Sequence, residues 1–262
     1  MEIIRTVESW KKMRSSFPAS KSIGYVATMG NLHSGHESLF LRSKRENEIS
    51  IASLFINPTQ FNERIDYEKY PRTEEDDFEI LKRAKVDYVL IPLREEIYHD
   101  EYSFKVHTTH PVSQVMEGVF RPGHFDGMLT VVLKFLLLVR PKNAYFGEKD
   151  YQQLILIREM AQAYFLDVNI VGCETIRNKS GLALSSRNSL LTADAKLSAE
   201  KINEALRSGM SLNEIKDSLV ASGFEVEYVE SFMKRVFVAV KIGNIRLIDN
   251  VVDISDSRIG GK

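Results

Sequence analysis

Ser22-Ile23-Gly24-Tyr25-Val26-Ala27-Thr28-Met29-Gly30-Asn31-Leu32-His33-Ser34-Gly35-His36 begins apolar, passes through a polar loop with two glycines, and enters a helical pattern that runs to about Glu46. A short apolar run, a loop and an amphipathic helix are the grammar of a strand buried on both faces with its returning crossover. The grammar repeats. Ile49 to Ile56 reads as a second strand, and Val86 to Ile91, stopped by Pro92, as a third. Between them a helix from the N-cap Thr73 to about Ala84 carries Glu74, Glu75, Asp76 and Asp77 in its first turn, where the helix dipole favours anions. A helix from about Asp126 to Val139 stops at Pro141. Ala144 to Phe146 is a short strand, Tyr151 to Phe165 a helix, and Val168 to Cys173 another strand. Strands alternating with helices predict an α/β fold, a Rossmann-like parallel sheet with helices on both faces.

After about Arg177 the pattern changes. Two polar amphipathic helices, about Thr192 to Ser208 and Ser211 to Ala221, precede three strand-like segments, Phe224 to Val229, Val236 to Ile242 and Ile245 to Val252. This is the signature of a smaller α+β domain, so the expected domains are residues 1–176 and 177–262.

Charge and cysteine usage narrow the function. The 35 basic and 36 acidic residues leave a net charge of −1, without the basic excess that binding to bulk nucleic acid requires. A local basic pocket for one anion stays open. The single cysteine, Cys173, rules out an intrachain disulfide and zinc sites built on Cys pairs, and its apolar setting predicts a buried strand thiol. The N-terminus lacks the basic and apolar regions of a signal peptide. The most apolar run, Val131 to Val139, is interrupted by Lys134 and falls short of the roughly 20 residues of a membrane span. A cytoplasmic protein with no membrane partner is expected.

The chemistry concentrates in the loop quoted first. In an open parallel sheet, ligands bind beyond the carboxyl ends of the strands. A helix N-terminus with exposed backbone N–H groups is an anion site. Gly30 and Gly35 admit close approach of a phosphate, and His33 and His36, three apart, can face one bound group and donate to its oxygens. Two alternatives stay open for the histidines: a zinc pair, for which no third ligand stands nearby in sequence, and a solvated turn. Lys149, just after a strand and a glycine, can reach triphosphate oxygens. Ser185-Ser186-Arg187 offers two hydroxyls and a guanidinium fork suited to phosphate. Gln60 and Gln153 can both donate and accept, which suits a substrate with hydroxyls and a carboxylate. Asp76 and Asp77 stand between holding Mg²⁺ and complementing the helix dipole. Arg121 and His124 stand between the site and a turn.

His33-Ser34-Gly35-His36 marks the nucleotidyltransferase superfamily. Phe55-Ile56-Asn57-Pro58-Thr59-Gln60-Phe61, Tyr70-Pro71-Arg72-Thr73, Arg121-Pro122-Gly123-His124-Phe125, Phe146-Gly147-Glu148-Lys149-Asp150-Tyr151-Gln152-Gln153-Leu154 and Gly181-Leu182-Ala183-Leu184-Ser185-Ser186-Arg187-Asn188 narrow it further. In content, order and spacing the chain resembles the pantothenate synthetase family over about residues 23–191, with Arg246-Leu247-Ile248-Asp249-Asn250 similar again near the end. One departure is Thr59, where the family usually has Met.

The resemblance implies an ATP site at Met29, Gly30, Asn31, Leu32, His33, Ser34, Gly35, His36, Gly147, Glu148, Lys149, Asp150, Ile176, Leu184, Ser185, Ser186 and Arg187, with His36 as proton donor. It implies pantoate binding by Gln60 and Gln153, ATP as co-substrate with Mg²⁺, β-alanine as second substrate, a homodimer, and a small lid-like C-terminal domain. The implied reaction condenses pantoate with β-alanine through a pantoyl adenylate, releasing AMP and pyrophosphate. His33, His36, Lys149 and Arg187 would then carry the adenylation. Three other readings are another His-x-Gly-His nucleotidyltransferase, a class I aminoacyl-tRNA synthetase, which the balanced charge disfavours, and an ATP-binding sensor without turnover.

Overall fold

The computed structural model describes residues 1–253. They form two compact units, one made of Met1–Glu148 and Gln152–Cys173, the other of Lys149–Tyr151 and the described residues from Glu174 on. Residues 254–262, the end of the expected C-terminal domain, lie outside the described residues.

The larger unit is built on six strands: β1 (Glu2–Ile4), β2 (Ile23–Thr28), β3 (Ile49–Leu54), β4 (Tyr88–Leu90), β5 (Asn143–Gly147) and β6 (Asn169–Cys173). Their spatial order is β1-β4-β3-β2-β5-β6, and every neighbouring pair is parallel. From β2 the chain moves outward through β3 and β4, then crosses to β5 on the other side of β2. The carboxyl end of β2 is therefore the topological switch point, where ligands of doubly wound sheets bind. The helices are α1 (Val7–Ser16), α2 (Ser34–Glu46), α3 (Arg64–Glu68), α4 (Glu74–Arg83), α5 (Arg94–Ile97), α6 (Glu117–Phe120), α7 (His124–Val139) and α8 (Tyr151–Ala163).

Alternate residues of β2 serve opposite faces, as the period of a strand requires. The Tyr25 ring stacks on Phe135 of α7 with centroids 6.3 Å apart. Val26 instead joins the cluster of Leu39 and Phe40 from α2 and Leu81 from α4. Each such side chain, fully withdrawn from water, contributes roughly 1.5–3 kcal/mol. Cys173 is buried at the end of β6, as its apolar setting predicts, and burial pushes its thiol up.

Two N-terminal elements are absent from the sequence reading. β1 buries only Ile4 and depends on pairing with β4. α1 is polar and held by one fully buried anchor, Trp10, whose ring N–H donates to the Leu138 carbonyl at 2.9 Å. One anchor per element leaves no periodicity to read.

In the smaller unit, α9 (Ala193–Arg207) and α10 (Leu212–Ala221) are followed by the antiparallel sheet β7 (Glu225–Phe232), β8 (Arg235–Ile242) and β9 (Ile245–Val252), in that order. Thr192 and Ser211 cap the helices through their hydroxyls, the latter in a capping box with Glu214. Val236, Val238 and Val240 alternate along β8 and pack against Ile202 and Leu206 of α9 and Ile215 and Leu219 of α10 within one core. The α/β sheet with a small α+β portion is as expected from the sequence. No helix among the described residues is long and apolar enough to cross a membrane.

Candidate functional site

At the switch point, Thr28 ends β2 and the chain turns through Gly30 (φ 79°) and Asn31 (φ 49°), both left-handed, before α2 begins. A side chain at Gly30 would carry backbone strain and its Cβ would stand 3.0 Å from Asp77 Oδ2. The turn is fixed by that carboxylate: Asp77 Oδ1 accepts from Leu32 N–H at 2.7 Å and Oδ2 from Asn31 N–H at 3.0 Å. The Thr73 hydroxyl donates to Asp77 Oδ1 at 3.2 Å, while Thr73 makes no side-chain cap of α4. Asp77 is only 2% exposed, and burial pushes its carboxyl up despite these three donors. Asp77 stands in the acidic first turn of α4, as read from the sequence, and has a further role there. Its oxygens brace the loop.

The histidines are set with equal care. His33 is the N-cap of α2, its Nδ1 accepting from Gly35 N–H at 3.1 Å, and His36 Nδ1 accepts from His33 N–H at 3.3 Å. A backbone N–H only donates, so each neutral ring carries its proton on Nε2. The ring centroids lie 4.1 Å apart. The sequence reading puts the loop N–H groups against phosphate; five of them, at Gly30, Asn31, Leu32, His33 and Gly35, are bonded within the protein. The two imidazoles stand at the N-terminus of a 13-residue helix, the positive end of its dipole.

Gln60 lies beyond β3 in the turn Pro58–Gln60. Its Nε2 approaches Met29 Sδ at 3.0 Å, which joins this turn to the switch loop. Its Oε1 accepts from Asn57 Nδ2 at 2.9 Å, and Asn57, 1% exposed, accepts in turn from the hydroxyls of Thr59 at 3.0 Å and Tyr98 at 2.5 Å. Thr59 therefore supplies a hydrogen bond, through its hydroxyl, within this network. Arg121 and His124, undecided from the sequence, grip the Gln60 carbonyl at 3.3 and 2.9 Å. Gly127 of α7 permits the contact, since a Cβ there would lie 2.1 Å from the Thr59 carbonyl oxygen.

Gln152 and Gln153, adjacent on α8, divide sharply. Gln152 is buried and spent: its Oε1 accepts from Glu117 N–H and its Nε2 donates to the carbonyls of Val112 and Val115. Gln153 is half-buried and its side chain makes no hydrogen bond to another described residue. Gly147 ends β5, paired in register with Cys173 of β6, and Glu148 follows.

In the smaller unit, Ile176 and Leu184 face each other across a short hairpin, the Leu184 N–H donating to the Ile176 carbonyl at 2.9 Å. The hairpin runs into Ser185, whose hydroxyl caps the turn Ser186–Leu190 by accepting from Arg187 N–H at 3.3 Å. Lys149 and Ser185 line one pocket together with Asn188 and Asp249. The Lys149 ammonium stands 3.9 Å from the exposed Asp150 carboxylate. Among the described residues, no three His, Cys, Asp or Glu side chains converge as a metal cage.

The family model described as pantoate-β-alanine ligase matches residues 2–252. Pantothenate synthetase of Coxiella burnetii is 48% identical over 257 residues, covering 98% of this chain and 99% of that protein. The enzyme of Legionella pneumophila is 48% identical over 250 residues, covering 95% and 99%. Among solved structures, pantoate-β-alanine ligase from Francisella tularensis, complexed with β-γ ATP and β-alanine, matches with a TM-score of 0.93 and 41% identity over 97% of this chain and 98% of that one. Pantothenate synthetase from Thermus thermophilus matches with a TM-score of 0.87 and 36% identity over 97% and 99%.

Proposed function

This chain belongs to the pantoate-β-alanine ligase family, and we propose that it condenses pantoate with β-alanine at the expense of ATP, through a pantoyl adenylate, releasing AMP and pyrophosphate. The observation that carries the reading is the pair of imidazoles at the N-terminus of α2, held at the switch point by the buried Asp77 carboxylate.

The first half-reaction needs no general base, because a carboxyl group with a reference pKa of about 4 is already ionised at neutral pH. Its carboxylate attacks the α-phosphorus, the bond to the bridging oxygen breaks, and pyrophosphate leaves. Positive potential and alignment are what the protein must supply. The Nε2–H groups of His33 and His36 donate to phosphate oxygens, His36 with the role of proton donor, while Lys149 and Arg187 supply cationic charge. Met29 to His36, Gly147 to Asp150, Ile176 and Leu184 to Arg187 form the nucleotide contacts in this reading. Gln60 and Gln153 take the hydroxyls and carboxylate of pantoate. In the second half, the neutral amine of β-alanine attacks the acyl carbon and AMP leaves, in a setting that must exclude water from the adenylate.

Mg²⁺ belongs to this reading as a companion of ATP. The described residues offer no three-carboxylate or histidine cage for it, and Asp77 is committed to the loop. The ion would be held by the triphosphate's own oxygens, where it neutralises charge. Residues 1–176 would serve the nucleotide and pantoate, and residues 177–262 would form the small second domain. Membership of the family also supports a homodimer in the cytoplasm.

The testing experiment is product analysis. Purified protein given ATP and Mg²⁺ should form AMP steadily only when both pantoate and β-alanine are present. AMP formation indifferent to both acids, or nucleotide binding with no turnover, would contradict the assignment.

A further inference from the structure

Lys149 lies in a three-residue turn, Glu148–Asp150, between β5 and α8, with no extended element of its own to fix it. A lysine on a flexible four-carbon stem is a poor positioner unless its backbone is held. Here the hold comes from a hundred residues later in the chain. Asn250 Nδ2 donates to the Lys149 carbonyl at 2.9 Å, and Asn250 Oδ1 accepts from Arg235 Nε at 2.6 Å. A guanidinium only donates and a carbonyl only accepts, so the Asn250 amide can take one orientation alone. The same Arg235 guanidinium lies 4.2 Å from the centroid of the Tyr151 ring and so clamps the chain two residues beyond Lys149.

The neighbouring residue on β9 holds the other phosphate-binding candidate. Asp249, 4% exposed, takes Arg177 in a two-pronged ion pair at 2.6 and 2.8 Å and accepts from Asn250 N–H at 2.8 Å. Arg177 also donates to the Gly181 carbonyl at 3.0 Å and to the Asn250 carbonyl at 3.3 Å. It thereby fixes the hairpin that leads into Ser185-Ser186-Arg187. Buried ion pairs and amides are weak sources of stability, since apolar residues of similar size pack as well there. They define geometry instead.

We infer that the adjacent pair Asp249 and Asn250 is a positioning hub for adenylation: Asn250 sets Lys149, and Asp249 through Arg177 sets the Ser185–Arg187 loop. The inference rests on the reading of Lys149 and Arg187 as phosphate-binding groups. It adds that their mutual placement is made by two adjacent side chains of β9 acting through Lys149 and Arg177.

The test uses single-turnover adenylation by the full chain with ATP, Mg²⁺ and pantoate. Asn250→Asp keeps the volume and the acceptor for Arg235 but turns a carboxylate oxygen toward the Lys149 carbonyl. The rate should fall by about 10–100-fold, the scale of a small misplacement of a catalytic group. In a Lys149→Ala background the same substitution should change the rate less than about twofold, because coupled residues are not additive. If Asn250→Asp does not fold, Arg235→Lys carries the same cycle, since it unlocks the amide while leaving Asn250 in place. Asn250→Asp with unaltered adenylation, or with an equal loss in both backgrounds, would overturn the hub while leaving the functional assignment standing. An unsubstituted protein that forms no adenylate from pantoate would overturn the functional assignment and the hub together.

Discussion

The Asp77 carboxylate, buried at the start of α4, accepts the backbone N–H of Leu32 at 2.7 Å across 45 residues of sequence. With the second bond from Asn31, it fixes the left-handed turn that brings His33 to the cap of α2. Replacing Asp77 by Asn leaves one carbonyl oxygen for two N–H donors and turns an amide N–H toward the other. Asp77→Asn should cost about 1–3 kcal/mol of stability, the penalty of a buried donor left unsatisfied, and should weaken ATP binding as the loop loosens. Urea denaturation and nucleotide titration read the two effects.

The same group predicts a pH dependence. Burial raises the Asp77 carboxyl in the folded protein above its ordinary value. A carboxyl raised on folding contributes stability that is fully present below the unfolded value, about 4, and is lost as pH rises through the folded value. The stability gap between the unsubstituted protein and Asp77→Asn should therefore narrow as pH rises from about 4 toward neutrality. Denaturation midpoints that diverge over that range would contradict the sign.

The adjacent glutamines of α8 should fail in different ways. Gln152→Ala removes three hydrogen bonds of a buried side chain, from the Glu117 N–H and to the carbonyls of Val112 and Val115, so it should destabilise the fold by roughly 2–3 kcal/mol. Gln153→Ala and Gln60→Ala should leave the melting temperature nearly unchanged and impair pantoate use, while ATP binding without pantoate is kept. An unpaired substrate group in a closed site costs roughly 1–3 kcal/mol, about 5- to 150-fold in affinity. Equal loss of nucleotide affinity in Gln153→Ala would place that side chain elsewhere.

How much of this was legible follows from what each residue reports locally. The run from Ser22 to His36 announced a buried strand, a glycine loop and a helix, and the structure has β2, the switch loop and α2 there. Its continuous apolar run and its glycines are local properties. Asp77 was visible only as one of four acids in a helical first turn, a position the dipole already explains, while its partners lie 45 and 46 residues away. Asn57 lies inside a motif with Gln60, yet the Tyr98 hydroxyl that donates to its Oδ1 comes from another segment. Ile176 and Leu184 were named separately, and only the backbone pairing shows them to be one hairpin. Residues that act by bracing others carry no chemistry in their type, so their roles emerge from contacts.

Lys149→Ala should lower the adenylation rate on the order of 10²–10³-fold, the usual cost of removing one preorganised transition-state contact. Lys149 lies in a short turn with a half-exposed acid as its ionic neighbour, so folding should be almost unaffected. Rapid-quench measurement of pyrophosphate release checks the rate, and thermal melting checks the fold. Normal single-turnover adenylation would return Lys149 to a surface charge.

The central claim is that the carboxylate of pantoate attacks the α-phosphorus of ATP. One carboxylate oxygen then becomes the bridge of the mixed anhydride and departs with AMP when β-alanine attacks the acyl carbon. Pantoate labelled with heavy oxygen in its carboxylate should deliver one labelled oxygen to AMP and none to pyrophosphate, read by mass spectrometry of the nucleotide products. Label in inorganic phosphate, with ADP as the nucleotide released, would contradict the adenylate and the roles assigned to His36 and Lys149.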